Sequence, residues 1–414
     1  MAAGCCGDTR PPVDFLTPRL GGDTTARAAR GRPFNQAARN LTNADTVTFG
    51  RGAEVFDHAF GAADGLGPAS NADGCLACHL DGLQHPHRQD RPPGLVVRVS
   101  IPGPGAHGGP RPEPTYGLQL QTAAVSGHPE ARLDPRYVAV HHRWATGRVS
   151  TVHRIDPGVT LLDGPLAPGT MTSVRTAPEI LGRGLLEAIP EQTVAAAADP
   201  SDADHDGISG RANWVWSEDA GGPALGRFGW KAGQPGVAQQ TTLALVEDMG
   251  VTSGTELGAS PLADLVFYNR TIAVPVAREA TTRRVREGAS VFVDAGCAAC
   301  HTPTQRTGPS DIAALADQVF HPYTDLLVHD MGPGLADGRP EFGASGREWR
   351  TAPLWGLGRR RQVTGSPALL HDGRALSPTE AILWHDGEAR TARLRFERLS
   401  DADRVALLGF LDSL

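Results

Sequence analysis

The sequence predicts a mainly α fold, in which two helical domains follow one another and the first is enlarged by loop- and short-strand-rich insertions. One observation is the pattern Cys-x-x-Cys-His, which occurs at residues 75–79 and again at residues 297–301. A second is helical spacing before each copy, over residues 46–60 and 278–295, with a last amphipathic helix at the end of the chain. A third is the stretch 90–175, where Pro and Gly interrupt short alternating runs that are typical of strands.

The repeated pattern is the attachment signature of a c-type haem. Two thiols three positions apart can each bond one haem vinyl group, and the next His offers its imidazole to the iron. A zinc site built from both cysteine pairs is the alternative, but it leaves the His after the second Cys unexplained in both copies. We therefore predict two covalently bound haem c groups in two cytochrome c-type haem domains. The predicted attachment residues are Cys75, Cys78, His79, Cys297, Cys300 and His301.

The motifs and helical segments divide the chain of 414 residues into three parts. A flexible leader is predicted over 1–33, which is polar and rich in Gly and Arg. An N-terminal haem domain with insertions follows over 34–277, and a C-terminal cytochrome c domain occupies 278–414. Within the N-terminal domain, further helices are predicted over residues 173–198 and 237–249.

Composition and the N-terminus bear on location and partners. The net charge of −7 and the lack of a long basic run argue against binding to nucleic acid. Haem c is attached outside the cytoplasm, so a periplasmic or other extracytoplasmic location is expected, although no signal peptide follows Met1. The residues Ala2-Ala3-Gly4-Cys5 resemble the end of a bacterial lipoprotein signal, which would make Cys5 a lipid anchor and place the true start upstream. The alternative is that Cys5 and Cys6 have no such role.

Further motifs resemble those of the bacterial di-haem oxidoreductases. This family is labelled as peroxidases or thiol oxidoreductases, and it is distantly related to the di-haem cytochrome c peroxidases and to the methylamine-utilisation di-haem enzyme. The resemblance runs from Phe34 to the C-terminus and implies two haems and redox activity. Its landmarks, in chain order, begin at Asp64, Tyr116, Gly184, Gly226, Tyr323, His329, His371 and Ile382.

The resemblance implies a sixth ligand for the second haem. In the peroxidase relatives, the residue that ligates the C-terminal haem stands fourteen positions after the His of a His-Asp-Gly turn. Here His371 opens that turn, and His385 stands fourteen residues later. The capping-box pattern of Ser377 to Glu380, with Pro378 at the first helical position, places His385 on a helix. Two imidazoles would make this haem a closed electron relay; the alternative is an ordinary surface or core His.

The resemblance leaves the distal side of the first haem less defined. The peroxidase relatives use a Gln and a later Glu-Met pair, and the nearest counterpart here is Gln239-Gln240 followed by Glu247-Asp248-Met249. Asp248 or Glu247 is the predicted distal carboxylate, with Gln240 or Gln239 nearby, since peroxide cleavage needs an acid/base group over the iron. A solvated helix face is the alternative.

Other residues have two possible interpretations each. His58 could ligate the first iron or lie on the surface, and Trp230 could form an aromatic bridge between the haems or belong to the core. Asp202, Asp204 and Asp206 match the first half of an EF-hand loop, which predicts Ca²⁺ binding, but position 12 is Asn213. An exposed acidic turn is the alternative. Ordinary exposed histidines are expected at His85, His87, His141 and His142.

These expectations combine into a di-haem oxidoreductase. Electrons from a redox partner protein or a small donor would enter at the haem of His301 and His385 and cross to the haem of His79, where peroxide or a similar small oxidant is reduced. One alternative is a di-haem cytochrome that only transfers electrons. Another is oxidation of a protein or organic substrate by high-valent haem.

Overall fold

A computed structural model describes residues 14–29, 32–79, 94–251, 258–365 and 368–414 of the chain. The helices of these residues begin and end close to polar caps and glycines. They are α1 Asn43–Asp57, α2 Arg183–Glu187, α3 Glu191–Ala196, α4 Val237–Met249, α5 Ala259–Thr271, α6 Arg283–Asp294, α7 Arg360–Thr364, α8 Pro378–Trp384, α9 Arg390–Arg398 and α10 Asp401–Ser413.

The strands are short and mostly form antiparallel pairs. They are β1 Ala69–Ser70, β2 Val96–Pro104, β3 Pro110–Arg111, β4 Ala123–Ala124, β5 Ala131–Leu133, β6 Arg136–Arg143, β7 Val149–Asp156, β8 Val159–Leu161, β9 Met171–Arg175, β10 Trp214–Ser217, β11 Gly222–Leu225, β12 Gln305–Arg306, β13 Val319–Phe320, β14 Val328–Asp330 and β15 Glu348–Arg350. β2 lies between β3 and β9 in a three-stranded sheet, and β6 pairs with β7 as a hairpin.

Side-chain caps fix the helices that lie near the two motifs. The Thr42 hydroxyl accepts from the Asp45 amide at the start of α1, and the Asp45 carboxylate reaches back to the Thr42 amide. Thr282 caps α6 in the same position, and Ser400 caps α10. The predicted helices over 46–60 and 278–295 and at the chain end are therefore confirmed, with boundaries shifted by a few residues.

The prediction of a mainly α fold is wrong. Helices take 32% of the chain and strands take 20%, in many small sheets. The predicted helix over 173–198 begins as strand β9, and Gly182, with a φ of 59°, and Pro190 divide the remainder into α2 and α3. Two separate cytochrome c-type domains are not shown either, since one apolar core of the described residues contains both Phe56 and Phe410.

The hairpin of β6 and β7 packs the first part of the chain against its last part. His142 on β6 lies 2.9 Å from the Glu397 carboxylate of α9, and the Trp144 ring lies 5.8 Å from that of Phe396. Segments from before residue 277 thus pack directly on the last part of the chain. Tertiary contacts, which the local pattern does not contain, hold the strand-rich insertion against the C-terminal helices.

Part of the predicted leader is packed. Phe15 and Leu20 are buried in the main core, and the Phe15 ring lies 6.0 Å from that of Tyr323. Cys5, Cys6, His85 and His87 lie outside the described residues, so the lipid anchor stays a prediction. Among the described residues, none of the helices has both the length and the apolar character that crossing a bilayer requires.

Candidate functional site: two matched cavities

Each Cys-x-x-Cys-His motif follows a helix that crosses a second helix at a glycine. α1 precedes the first motif and crosses α5, where a Cβ at Gly52 would collide with the backbone oxygen of Asp264. α6 precedes the second motif and crosses α10, where a Cβ at Gly288 would collide with the backbone oxygen of Ala406. A glycine permits such an approach because it has no side chain. The same kind of helix pair therefore positions both motifs.

The two motifs also have the same backbone. Each begins with one turn of 3₁₀ helix, at Cys75–Ala77 and at Cys297–Ala299. The amide of His79 donates to the Cys75 oxygen at 2.8 Å, and that of His301 donates to the Cys297 oxygen at 3.0 Å. These bonds bring each His back beside its first Cys. The four motif cysteines form no disulfide, and burial raises the pKa of the Cys75, Cys78 and Cys297 thiols to about 12.

A cavity of about 570 Å³ lies beside the second motif, and both predicted iron ligands line it. His301 donates from Nδ1 to the Tyr323 oxygen at 3.0 Å, and His385 donates from Nδ1 to the Ala381 oxygen at 2.8 Å. Each bond fixes the tautomer that leaves Nε2 available to a metal. Burial lowers the pKa of both imidazoles, that of His301 to about 4 with a contribution from His385. Both side chains are therefore neutral, as iron ligands must be.

Helix α8 places His385 in this second cavity. The Ser377 hydroxyl accepts from the Glu380 amide at 3.1 Å, Pro378 is the first helical residue, and His385 caps the C-terminus. The predicted helix is confirmed, but the Glu380 carboxylate accepts from the Leu376 amide at 2.9 Å instead of completing a capping box. His371, which opens the preceding turn, is buried in the same wall with its ring stacked on Trp349 at 3.6 Å.

A first cavity of about 570 Å³ lies beside the first motif. His79 donates from Nδ1 to the Pro178 oxygen at 3.1 Å, and burial followed by the charge of Arg183 lowers its pKa to about 3. The His79 imidazole therefore has a lowered pKa and an Nδ1 hydrogen bond to a backbone oxygen, as His301 and His385 do in the second cavity. The other His in the described wall is His107, whose ring stacks on that of Trp216 at 3.8 Å.

Helix α4 forms one wall of the first cavity and contributes the predicted catalytic residues Gln240, Glu247 and Asp248. The helix predicted over 237–249 is confirmed with those bounds. Glu247 forms an ion pair with Arg98 of β2, and an Asp248 oxygen accepts from Gln119 Nε2 at 2.8 Å. The carboxylates therefore face a buried polar wall, in contrast to the alternative of a solvated helix face.

Gln239 has a different environment from Gln240. Its amide nitrogen donates to the Trp216 oxygen at 3.1 Å and to Gln234 at 2.9 Å, while its oxygen accepts from the Glu218 amide at 3.0 Å. These bonds tie α4 to the strand β10. Gln240, whose side chain has no such set of partners among the described residues, is the one of the pair that remains available to the cavity.

Sequence reasoning missed a buried charge network in the same wall. Arg175 pairs with Glu341 at 2.8 Å, and Arg339 pairs with the same carboxylate. Burial would raise the pKa of Glu341, but Arg175, Arg339, Arg98 and Lys231 outweigh it and lower that pKa to about 2. These residues come from distant segments. One local signal was available, since Arg98 interrupts the apolar run Val96–Val99 that packs as the central strand β2.

The structure separates the remaining predicted residues. His58 is half-exposed, lies 3.4 Å from Asp64 and is outside the wall of the first cavity, which favours the surface interpretation. Trp230 lines both cavities and donates from Nε1 to the Thr176 oxygen at 2.7 Å. One oxygen from each of Asp202, Asp204 and Asp206 lies within 4.8 Å of the others, in a largely exposed turn.

A comparison with known families gives one match. The family described as "Di-haem oxidoreductase, putative peroxidase" matches residues 168–257 and 253–414. The chain belongs to this family. Membership implies haem cofactors and oxidoreductase activity. No curated protein matches the chain.

Proposed function

We propose that this di-haem oxidoreductase relays electrons from a bis-His haem in the second cavity to the haem in the first, where peroxide or a similar small oxidant is reduced. The observation that carries the proposal is the asymmetry of two otherwise matched cavities. The second has an oriented imidazole on His301 and another on His385. The first has one on His79, together with the carboxylates of α4.

The residues present fit covalently held haem c in both cavities. Each cavity has two half-buried cysteines that form no disulfide, and a neutral imidazole whose Nδ1 is hydrogen-bonded to a carbonyl oxygen. In the second cavity, His301 and His385 would be the residues that hold the iron. Nitrogen ligation stabilises the ferric state, which suits an electron relay.

In the first cavity, a bound haem would supply the iron at which the oxygen–oxygen bond of a peroxide is broken. Glu247 and Asp248 would hold the proton that moves between the two oxygens. Arg98 forms an ion pair with Glu247 and lies 3.9 Å from Asp248, so its guanidinium lies beside both carboxylates. Gln240 would donate a hydrogen bond to the bound oxidant.

Trp230 is the proposed route between the haems. Trp230 lines both cavities, and the hydrogen bond from Nε1 to the Thr176 oxygen at 2.7 Å fixes the orientation of its ring. An aromatic ring at this position shortens the gap that an electron must cross.

Location, donor and calcium belong to the same proposal. Covalent haem attachment takes place outside the cytoplasm, which supports a periplasmic or surface-anchored protein that is reduced by a redox partner protein or a small donor.

The three converging carboxylates at Asp202, Asp204 and Asp206 support Ca²⁺ binding, since like charges at this separation repel one another without a cation. Calorimetric titration with Ca²⁺ tests this, and absence of binding heat would leave an exposed acidic turn.

The experiment that tests the main proposal compares two double variants with the wild type. Haem content is measured by the pyridine haemochrome assay, and reduced protein is mixed with hydrogen peroxide in a stopped-flow spectrometer. We expect rapid, peroxide-dependent oxidation of the wild type. Replacing Cys75 and Cys78 by Ala should halve the haem content and abolish the reaction at the first cavity.

The matched variant replaces Cys297 and Cys300 by Ala. It should also lose half of the haem, but the remaining haem should still react with peroxide. A wild type that carries both haems and does not react with peroxide would favour the alternative of a non-enzymatic electron carrier.

A further inference from the structure

Two buried arginines line the cavities without a carboxylate partner. Arg183 of α2 contributes to the walls of both cavities, and Arg350 of β15 contributes to the wall of the second. Their exposed fractions are 9% and 8%. Among the described residues, no carboxylate lies within ion-pair distance of either guanidinium, although other buried arginines of the same region are paired.

The hydrogen bonds of these two side chains go to backbone oxygens. Arg183 donates from Nε and Nη2 to the Glu179 oxygen at 3.4 and 3.3 Å. Arg350 donates from Nε to the Gly229 oxygen at 3.0 Å and from Nη1 to the Thr351 oxygen at 2.9 Å. A guanidinium has five N–H donors, so each side chain keeps donors without an acceptor. Among the described residues, Glu179 attracts the charge of Arg183 and Asp325 that of Arg350, but neither carboxylate lies within ion-pair distance.

Neighbouring buried arginines form ion pairs with carboxylates of the chain itself. Arg175 pairs with Glu341 at 2.8 Å, and Arg360, which also lines the second cavity, pairs with the Glu179 carboxylate. The side chain of Glu179 is therefore engaged, and Arg183 reaches only its backbone. Among the buried arginines that line the cavities, these two are the exceptions; the buried Arg227, which donates to the Leu186 oxygen, lies outside both walls.

Burying these two unpaired guanidinium groups is electrostatically unfavourable. Burial, followed by the charge of Arg350, lowers the pKa of Arg183 to about 10, and burial lowers that of Arg350 to about 10. Both groups stay protonated at neutral pH. A buried ion without a partner costs several kcal/mol, and here two like charges influence each other. An anionic group that enters the cavities would remove this cost.

We propose that Arg183 and Arg350 bind haem propionates, with Arg350 holding the haem of the second cavity and Arg183 contributing from the wall that the cavities share. This inference rests on the proposed function, because a bound haem is the source of the carboxylates. A carboxylate accepts two parallel N–H bonds from a guanidinium, which fixes the haem edge as well as its charge. The residual positive charge stabilises ferrous haem, so these arginines raise the reduction potential.

The test is a redox titration of the haem-loaded protein, followed by optical and electron paramagnetic resonance spectra. Arg350→Gln should lower the midpoint potential of the bis-His haem and leave that of the first haem in place. Arg183→Gln should lower the potentials of both haems. Arg350→Lys keeps the charge and should recover most of the wild-type potential, whereas the half-exposed control Arg347→Gln should change neither.

Haem content is measured before each titration, so that two failures can be told apart. A wild type without haem would overturn the proposed function. Normal haem content with unchanged potentials in both Gln variants would overturn the inference alone. If a Gln variant takes up no haem, a crystal structure of the wild-type holoprotein decides: propionates bonded to the two guanidiniums support the inference, and propionates elsewhere refute it.

Discussion

The first and second Cys-x-x-Cys-His regions share their construction and differ in what faces the cavity. In both, a phenylalanine of the preceding helix lies near the motif histidine, Phe56 at 6.4 Å from His79 and Phe292 at 6.5 Å from His301. The backbone turn, the Nδ1 hydrogen bond and the cavity volume also match. The opposite walls do not match, because α8 brings an imidazole to one cavity and α4 brings carboxylates and a Gln to the other.

This difference separates the local part of each proposed haem site from the part that tertiary structure supplies. The predicted attachment residues and the predicted iron ligand of each motif lie within five consecutive residues, so both copies are alike. The opposite wall comes from segments far along the chain, as with His385 and Glu247, and it is free to differ. We infer that the choice between relay and catalysis is made by tertiary structure around a constant motif.

The largest expected effect comes from removing the ligand that distinguishes the second region. His385→Ala should convert the second haem from low spin to high spin, because the variant lacks the imidazole that is proposed as the second ligand of this iron. The measurement is electron paramagnetic resonance of the ferric protein. The control is His58→Ala, an exposed His, which should leave the spectrum unchanged. An unchanged spectrum in His385→Ala would mean that another residue ligates this iron.

The next effect concerns the wall of the first cavity. Replacing Glu247 by Gln together with Asp248 by Asn should lower kcat/KM for peroxide about 10²- to 10⁴-fold, the usual size of a general acid–base contribution. The absorption spectrum should stay the same, since neither residue is a proposed iron ligand. The exposed Glu54→Gln serves as the control. A double variant with the wild-type rate would remove both carboxylates from the reaction.

A smaller effect is expected at a buried ion cluster beside the second motif. His329 Nε2 lies 2.9 Å from Asp325 and its Nδ1 lies 2.8 Å from Glu388. Burial would lower the pKa of His329, but the hydrogen bond with Asp325, followed by those with Cys300 and Glu388, raises it to about 12. His329→Gln leaves two buried carboxylates without their cation and should reduce the free energy of unfolding by about 3–5 kcal/mol.

The sign of its pH dependence follows from the raised pKa. The contribution of His329 is fully present below the pKa of an unfolded His, about 6.5, and is lost as pH rises through the folded value of about 12. Denaturant unfolding at pH 6 and pH 10 should therefore show a smaller difference between wild type and variant at pH 10. A difference that grows with pH would contradict a protonated His329.

The smallest effects test whether the two helix pairs are equivalent. Gly52→Ala and Gly288→Ala should each cost about 1–3 kcal/mol, because the new methyl group collides with a backbone oxygen of the crossing helix. Gly50→Ala in the same helix meets nothing within 4 Å and should stabilise by up to about 1 kcal/mol. Thermal unfolding measures all three. Two tolerated alanines at the crossings would mean that the pairs are looser than described.

Much of the local structure follows from the sequence alone. The bounds of α4, the caps of α8 and α10 and both attachment motifs are visible as residue patterns. The helix α5, which closes the first helix pair, was not predicted, because its apolar residues do not form a clear stripe. The mainly α prediction failed because the predicted helix over 173–198 begins as a strand and is interrupted at Gly182 and Pro190, and because short strands fill the insertions.

The candidate site was predictable to the extent that its residues lie in motifs. His385 and the α4 carboxylates were predicted from motif order, and they line the cavities beside the second and the first motif. Arg98, Arg183 and Arg350 were not found, because a buried arginine has no signature until the fold removes its solvent and its partners can be counted. The same limit applies to Gln119, whose bond to Asp248 joins distant segments.

The central claim is that one haem is closed and the other is open. Electron paramagnetic resonance of the resting ferric wild type tests it most directly, with and without cyanide. We expect a low-spin signal from the second haem that is the same with and without cyanide. We expect a high-spin signal from the first haem that cyanide converts to low spin. Two low-spin signals that are both insensitive to cyanide and to peroxide would contradict it.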